Sequence, residues 1–364
     1  MRAARAAFEV RRRAWPLDHV HAHLSLEAAV RLGRTAVGPA GERVAWLDTE
    51  TTGLAGGTGT YVFLVGVGTI DDGEFVVSQY FLRDLGGEPE MLQALSAHLR
   101  EFDALVTFNG TRFDLPLLQT RFLLARLRTF DPAAHLDLIT LARRLWYRRL
   151  GGYSLARLEH FVLRVDRVVD VAGWMIPSLY VQYLQTGDLD PLEPVFAHNA
   201  TDLLSLLSLH GLTGELLTRP AEIRTAVDWY GLGTLLDARG DAEGAIACYR
   251  AALDEERDDP TARRRVVAAL ARHFRRRGEI PALLELWDGE IQAGVLPRWQ
   301  ILERLAMVWE WALRDPRQAL RCAEQACRHA PAVAPIREHL ERRCDRLRRR
   351  LAAAPGVSAS VRPS

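Results

Sequence analysis

The sequence predicts an α/β domain, a mixed sheet flanked by helices, followed by a separate all-α domain. Three observations carry that reading. Strand-length apolar runs rich in β-branched and aromatic residues cluster between residues 43 and 82, joined by tight turns. Strands and helices then alternate as far as about residue 217. Past Pro220 the strand-like runs cease and a helical repeat begins. At 364 residues, the chain is long enough for two ordinary domains.

The boundaries expected are a helical lead-in over 1–40, an α/β domain over 41–219, a helical domain over 220–353 and a disordered tail over 354–364. Within the α/β part, "RVAWLD" (43–48) reads as a buried strand. "TYVFLVGVGTI" (60–70) and "EFVVSQYFL" (74–82) are two more, joined by a "DDG" hairpin turn. "EPEMLQALSAHLREF" (88–102) has helical periodicity, and "ALVTF" (104–108) is a fourth strand. "DLPLLQTRFLLARL" (114–127) is a helix. "HLDLITLARRLW" (135–146) starts extended and turns helical. Ser154 is placed to cap the helix "SLARLEHFVL" (154–163). A long helix is expected from about Leu192 to Leu217. Three hairpin-linked strands followed by strand–helix alternation is the pattern of a ribonuclease-H-like core.

In the helical part, Trp229, Leu232, Gly233, Ala245, Tyr249 and Ala252 fall at the offsets of a tetratricopeptide helix–turn–helix. Degenerate copies follow at Leu270, Phe274, Gly278, Leu283 and Trp287, and again at Ala306, Asp315, Ala319, Ala326 and Pro331. Stacked repeats of this kind leave a concave surface that usually takes a peptide or protein partner. The arginines Arg263–Arg265 and Arg275–Arg277 could instead extend a nucleic-acid path.

Composition narrows the function classes. Net charge is +1, so no overall field points to nucleic acid, although "RRRAW" and "ERRCDRLRRRL" are locally basic. No apolar run is long enough to cross a bilayer, and the N-terminus has no apolar segment with a cleavage site, so a cytoplasmic location is expected. Cys248, Cys322, Cys327 and Cys344 include no C-x-x-C pair and read as thiols in a reducing compartment.

The chemistry concentrates in three places. Asp48 and Glu50 end a core strand two residues apart, so both carboxylates face the same side. Like charges there repel unless a cation lies between them, and hard Mg²⁺ or Mn²⁺ suits oxygen ligands. In "VTFNGTRFDLPLL" (106–118), Asn109 and Gly110 make a turn, Phe113 can anchor it, and Asp114 heads a helix, where it could also serve as a cap. In "FAHNATDLLSLLSLHGL" (196–212), His198 and Asp202 lie four apart on one helical face.

These three motifs, in this order over roughly residues 43–215, resemble the DEDD superfamily of metal-dependent 3′→5′ exonucleases. The resemblance implies two metal ions, Mg²⁺ or Mn²⁺, held by Asp48, Glu50, Asp114 and Asp202. Asp48 would bridge the pair, Glu50 and Asp202 would hold the ion that activates water, and Asp114 would support the other. His198 would be the general base. Histidine-type members place that residue five before the last aspartate and tyrosine-type members place a tyrosine four before it. Here His198 sits at the tyrosine spacing, and Glu193 is a competitor for the role.

Thr52, Gly53, Asn109 and Phe113 are candidates for binding the terminal nucleotide. Asp137 could be a supporting acid or a strand-end contact. Trp146, Tyr147, Arg148 and Arg149 could track a single strand or form a half-buried helix face. The core followed by degenerate tetratricopeptide repeats also resembles the bacterial YprB-type, or mitomycin repair factor B, exonucleases. That implies a DNA-repair enzyme acting on single-stranded 3′ ends, beside a helicase or other repair protein. An exoribonuclease, and a tetratricopeptide scaffold on an inactive nuclease core, are the alternatives; all four acids being present argues against the second.

Overall fold

The computed structural model describes residues 6–37, 43–53, 58–167, 170–220, 227–256 and 258–353. It falls into two compact units, Met1–Leu232 and Gly233–Ser364. The expected tail over 354–364 lies outside the described residues.

The first unit opens with a correction. Residues 1–40 read as a helical lead-in, yet Phe8–Pro16 form strand β1, antiparallel to a later strand. Only Trp15 of β1 is buried, because the strand lies at a sheet edge and turns Arg12 and Arg13 to solvent. Charged side chains on an edge discourage pairing with another chain, and they also hide the alternation that marks a strand. Arg11 lays its guanidinium 3.9 Å from the Phe196 ring centroid. The short hairpin β2 (Val20–His21) and β3 (Leu24–Ser25) follows, and then α1 (Leu26–Val37), so among the described residues of the lead-in only Leu26–Val37 are helical.

The core strands are β4 (Val44–Thr51), β5 (Val62–Asp71) and β6 (Glu74–Leu82). Asp72 and Gly73, both at positive φ, make the two-residue turn expected of "DDG". Helix α2 (Glu88–Leu99), β7 (Ala104–Thr107), α3 (Asp114–Leu124), β8 (Ala134–Asp137) and α4 (Leu138–Leu150) continue the α/β alternation. The sheet order is β1-β6-β5-β4-β7-β8. Pairs are antiparallel as far as β4 and parallel from β4 through β7 to β8. Ser154 accepts from the Arg157 amide and caps α5 (Leu155–Leu158), which runs into a π-type turn over Glu159–Leu163. Helix α6 (Ile176–Thr186) precedes α7 (Glu193–Thr218), the long helix expected at 192–217.

Alternation along β4 assigns its two faces. Leu47 belongs to a core with Leu117, Leu118 and Phe122 of α3 and with Leu92 and Leu95 of α2. Trp46 points the other way, 5.9 Å between ring centroids from His210 of α7. The sheet is therefore covered by α2 and α3 on one face and by α7 on the other. Helix α7 is buried almost all round through its second half, which explains why its pattern reads as a continuous apolar run.

The second unit is entirely helical among the described residues. Helix α8 (Trp229–Ala238), which begins in the first unit, and α9 (Ala242–Glu255) are followed by α10 (Pro260–Arg277) and α11 (Ile280–Ala293). Helix α12 (Arg298–Met307) passes through a π-type turn before α13 (Pro316–His329) and α14 (Ala334–Ala353). A Cβ on Gly233 would stand 2.7 Å from the Tyr249 ring, so glycine there lets the aromatic of the next helix close in. Arg263 and Glu290, both buried, pair through two contacts of 2.8 Å, and Arg263 also donates to the Leu253 and Glu256 carbonyls at the end of α9. Arg263 therefore ties helices together rather than offering a free cation.

Candidate active site

Pairing of β4 with β7 stops at Trp46 and Val106, so the last residues of β4 run beyond their parallel neighbour. Asp48 and Glu50 lie on this free end, facing α7, while Thr49 between them faces α3. From α7, Asn199 donates Nδ2 to Asp48 Oδ2 at 2.8 Å. One turn holds His198 and Asp202 together. His198 Nε2 lies 3.4 Å from Asp202 Oδ2 and 3.9 Å from Glu50 Oε1. Glu50, His198 and Asp202 can each offer one ligand atom with all three atoms within 4.8 Å of one another.

Asp114 arrives from the opposite face. It heads α3 and is 4% exposed, and its Oδ1 accepts from Thr49 Oγ1 at 2.5 Å. Asp48 and Asp114 stand outside the tight triplet, but their charges act on the same acids. Asp48 is raised well above the usual carboxylate range, first by burial, then by the charges of Asp202, Glu50 and Asp114, with the Asn199 hydrogen bond opposing. Glu50 is pushed up to about 8 by burial, Asp202 and Asp114, with Arg167 opposing. Asp114 is pushed up to about 6, mainly by burial, against the Thr49 hydrogen bond. Acids so reluctant to ionise together need positive charge between them. Carboxylate oxygens with one imidazole nitrogen form a donor set that fits one divalent cation such as Mg²⁺ or Mn²⁺.

Three residues that no motif pointed to complete the surroundings. Glu159, 2% exposed, grips Arg167 through contacts of 3.0 Å at Nε and 2.6 Å at Nη2. Arg167 Nη2 also pairs with Asp202 Oδ1. Asp170 Oδ1 lies 2.5 Å from His198 Nδ1. Charge alone does not single these residues out in a segment with several others, "EHFVLRVDRVVD".

The remaining expected residues divide. Glu193 is engaged by Arg11 at 2.6 Å and takes no part in the triplet. Asp137 is a loop organiser. Its carboxylate accepts from the Asn109 amide at 2.7 Å and the Thr111 amide at 3.0 Å, and it caps α4 at Ile139. Asn109 takes a left-handed φ of 68°, which turns the chain from β7 towards Asp114. Phe113 is half-buried immediately before α3. Thr52 and Tyr61 close the mouth of the glycine-rich loop: each backbone pairs across it, and Thr52 Oγ1 accepts from the Tyr61 amide at 2.9 Å. The Gly53 carbonyl accepts from Thr51 Oγ1 at 2.8 Å, and residues 54–57 of that loop lie outside the described residues. Trp146 is fully buried and so cannot stack on a strand; its apolar surroundings on α4 make it core. Tyr147 beside it is 51% exposed, and Arg148 pairs with Asp228 at 3.7 Å.

Residues 45–213 match the RNase_H_2 family of the RNase_H superfamily. A protein of Bacillus subtilis (strain 168), "Uncharacterized protein YprB", is 28% identical over 352 residues, covering 92% of this chain and 84% of the relative. Among solved structures, the family B DNA polymerase of the hyperthermophilic archaeon Pyrobaculum calidifontis is similar at a TM-score of 0.39 and 17% identity. That likeness covers 65% of this chain, which spans only 29% of the polymerase. The superfamily match covers β4 to β8 and most of α7, the elements among which the acids lie, and leaves out the edge strand β1. Together with a cluster able to hold a metal ion, the match is consistent with an RNase H-like hydrolase that cleaves nucleic acid. No helix among the described residues is long and apolar enough to cross a membrane.

Proposed function

We propose that this protein is a metal-dependent 3′→5′ exonuclease acting on DNA, and that it serves DNA repair. The observation that carries the reading is the meeting of Glu50, His198 and Asp202 within 4.8 Å of one another at the free end of β4, with Asp48 beside them. Acids brought from three distant segments to one strand end are costly to the fold and are accounted for by a cation-dependent reaction on a phosphodiester.

In this reading Asp48, Glu50, Asp202 and Asp114 are the residues that would hold two ions, Mg²⁺ or Mn²⁺. When bound, such ions supply the charge that activates water and neutralises the leaving oxygen. His198 takes the proton of the attacking water at Nε2, which faces Glu50 and Asp202. The Thr52 hydroxyl and the Asn109 side chain hydrogen-bond the terminal sugar, and Gly53 and Phe113 frame the nucleotide. A single-stranded 3′ end is the substrate that can thread to a strand end enclosed by two helices. The helical second unit acts as a tetratricopeptide-like platform for a helicase or another repair protein.

The test is direct. Purified protein is incubated with 3′- and 5′-labelled single- and double-stranded DNA, and with matched RNA, with Mn²⁺ and with EDTA. Metal-dependent shortening of DNA from its 3′ end is expected. Preference for RNA would make the protein an exoribonuclease, and no cleavage in any arm would overturn the nuclease reading.

A further inference from the structure

The side chains that brace His198 lie outside all three acidic motifs. His198 Nδ1 has two neighbours: Asp170 Oδ1 at 2.5 Å and Arg167 Nη1 at 2.9 Å. One nitrogen cannot serve both in the same tautomer. A carboxylate only accepts, so the Asp170 contact requires a proton on Nδ1; a guanidinium only donates, so the Arg167 contact requires a lone pair there. The shorter, charge-assisted contact decides between them. Arg167 Nη1 has Asp170 Oδ1 as its other acceptor at 3.4 Å, so it can satisfy itself without the imidazole.

We propose that Asp170 is a positioning residue that fixes His198 as the Nδ1–H tautomer, and that Arg167, anchored by Glu159, holds Asp170 and Asp202 in place for it. This rests on the nuclease reading above. The geometry gives each member a task. Glu159 is buried at 2% exposure and orients the guanidinium through two contacts. Arg167 then reaches Asp202 with Nη2 and Asp170 with Nη1. Asp170 in turn accepts a hydrogen bond from Nδ1–H. What remains is the Nε2 lone pair, pointed between Glu50 and Asp202, where an attacking water would lie. The second nitrogen of a working histidine is commonly fixed this way by a carboxylate. The alternative tautomer would place a proton on Nε2 and remove the base.

Asp170→Asn tests this with little risk to folding, because the Asp170 side chain is 37% exposed. The amide keeps the shape but can donate to Nδ1, so it favours the other tautomer. Two readouts are needed. The first uses ¹⁵N-histidine-labelled full-length protein without metal, at alkaline pH where an ordinary imidazole is neutral. Long-range ¹H–¹⁵N spectra, with the His198 signals assigned by comparison with His198→Gln, should show Nδ1–H in the parent and Nε2–H in Asp170→Asn. The second is Mn²⁺-dependent exonuclease kinetics. The variant should lose about 10²- to 10⁴-fold in kcat with KM changed little. A parent spectrum with Nε2–H, or an active parent matched in kcat by Asp170→Asn, overturns the positioning role alone. A parent that cleaves no DNA or RNA overturns the nuclease reading and this role with it.

Discussion

Asn199, fully buried on α7, donates its amide to the Asp48 carboxylate at 2.8 Å, and its orientation is not free. Gln79 of β6 donates to Asn199 Oδ1 at 2.9 Å and to the Phe196 carbonyl at 2.8 Å, so the Asn199 amide must turn its NH₂ to Asp48. Gly66, opposite Asp48 in the β4–β5 ladder, leaves the space: a Cβ there would stand 2.2 Å from Asn199 Oδ1. Glycine in mid-strand is unfavourable by itself, so this close approach is its reason.

Gly66→Ala should therefore push Asn199 aside and release Asp48. The expected result is a loss of about 1–3 kcal/mol in stability, from overpacking and an unpaired amide, together with weaker Mn²⁺ binding. Urea titration and calorimetric titration of Mn²⁺ measure the two effects. Unchanged Mn²⁺ affinity would show that Asn199 does not orient a metal ligand.

Asp48→Asn should separate catalysis from folding. It keeps the side-chain shape and removes a carboxylate that burial and three neighbouring acids disfavour. Exonuclease activity should fall below detection. Metal-free melting temperature should stay level or rise, because one source of repulsion is gone. A variant that shortens DNA at the parental rate would remove Asp48 from the mechanism.

The acids at the end of β4 were legible because strand alternation fixes which way Asp48 and Glu50 point, and helical spacing does the same for His198 and Asp202. Each motif carries its own geometry. Strand β1 was not legible, since an edge strand that exposes Arg12 and Arg13 and buries only Trp15 lacks an apolar face to create alternation. Arg167 and Asp170 were hidden for a different reason. Their relation to His198 spans 31 and 28 residues, with helix α6 between, so no local periodicity links them. Trp146 reads equally as a stacking surface or a helix face against the core, because local pattern cannot say which side of α4 meets the core.

The site also fixes a pH dependence. Glu50 titrates at about 8 in the folded chain against an ordinary value of 4.5, and Asp114 at about 6 against 3.8. Between those limits the folded state holds protons that the unfolded state has released. The part of the metal-free stability that these two acids set is therefore full below about pH 4 and is lost as pH rises towards 8. A divalent cation favours the ionised acids, so its binding should release protons and its stabilising effect should grow with pH. At a free concentration 100 times its Kd the gain is about 2.7 kcal/mol. Melting curves from pH 5 to 8.5 with Mn²⁺ or EDTA test this, and Glu50→Gln should flatten the metal-free trend. Parent and variant curves of equal slope would show that Glu50 ionises normally.

Arg121 ties the glycine-rich loop to the core, and its removal should expose two effects that a second substitution can separate. Arg121 and Glu88, both nearly inaccessible to solvent, pair through two contacts of 2.5 Å. The same guanidinium donates to the Thr58 carbonyl at 2.9 Å and lies 3.9 Å from the Tyr61 ring centroid. Tyr61 in turn pairs with Thr52 across the mouth of the loop. Arg121→Met leaves the Glu88 carboxylate buried without a partner, at a cost of about 3–5 kcal/mol. Adding Glu88→Leu removes that stranded charge, and the double variant should regain most of the stability, since apolar pairs of similar volume often replace buried ion pairs without loss. It does not restore the Thr58 and Tyr61 contacts. KM for a single-stranded DNA should therefore stay raised in the double variant while its urea midpoint returns towards the parent. A KM that recovers along with stability would mean that the loop needs only a folded core, and that Arg121 has no separate hold on it.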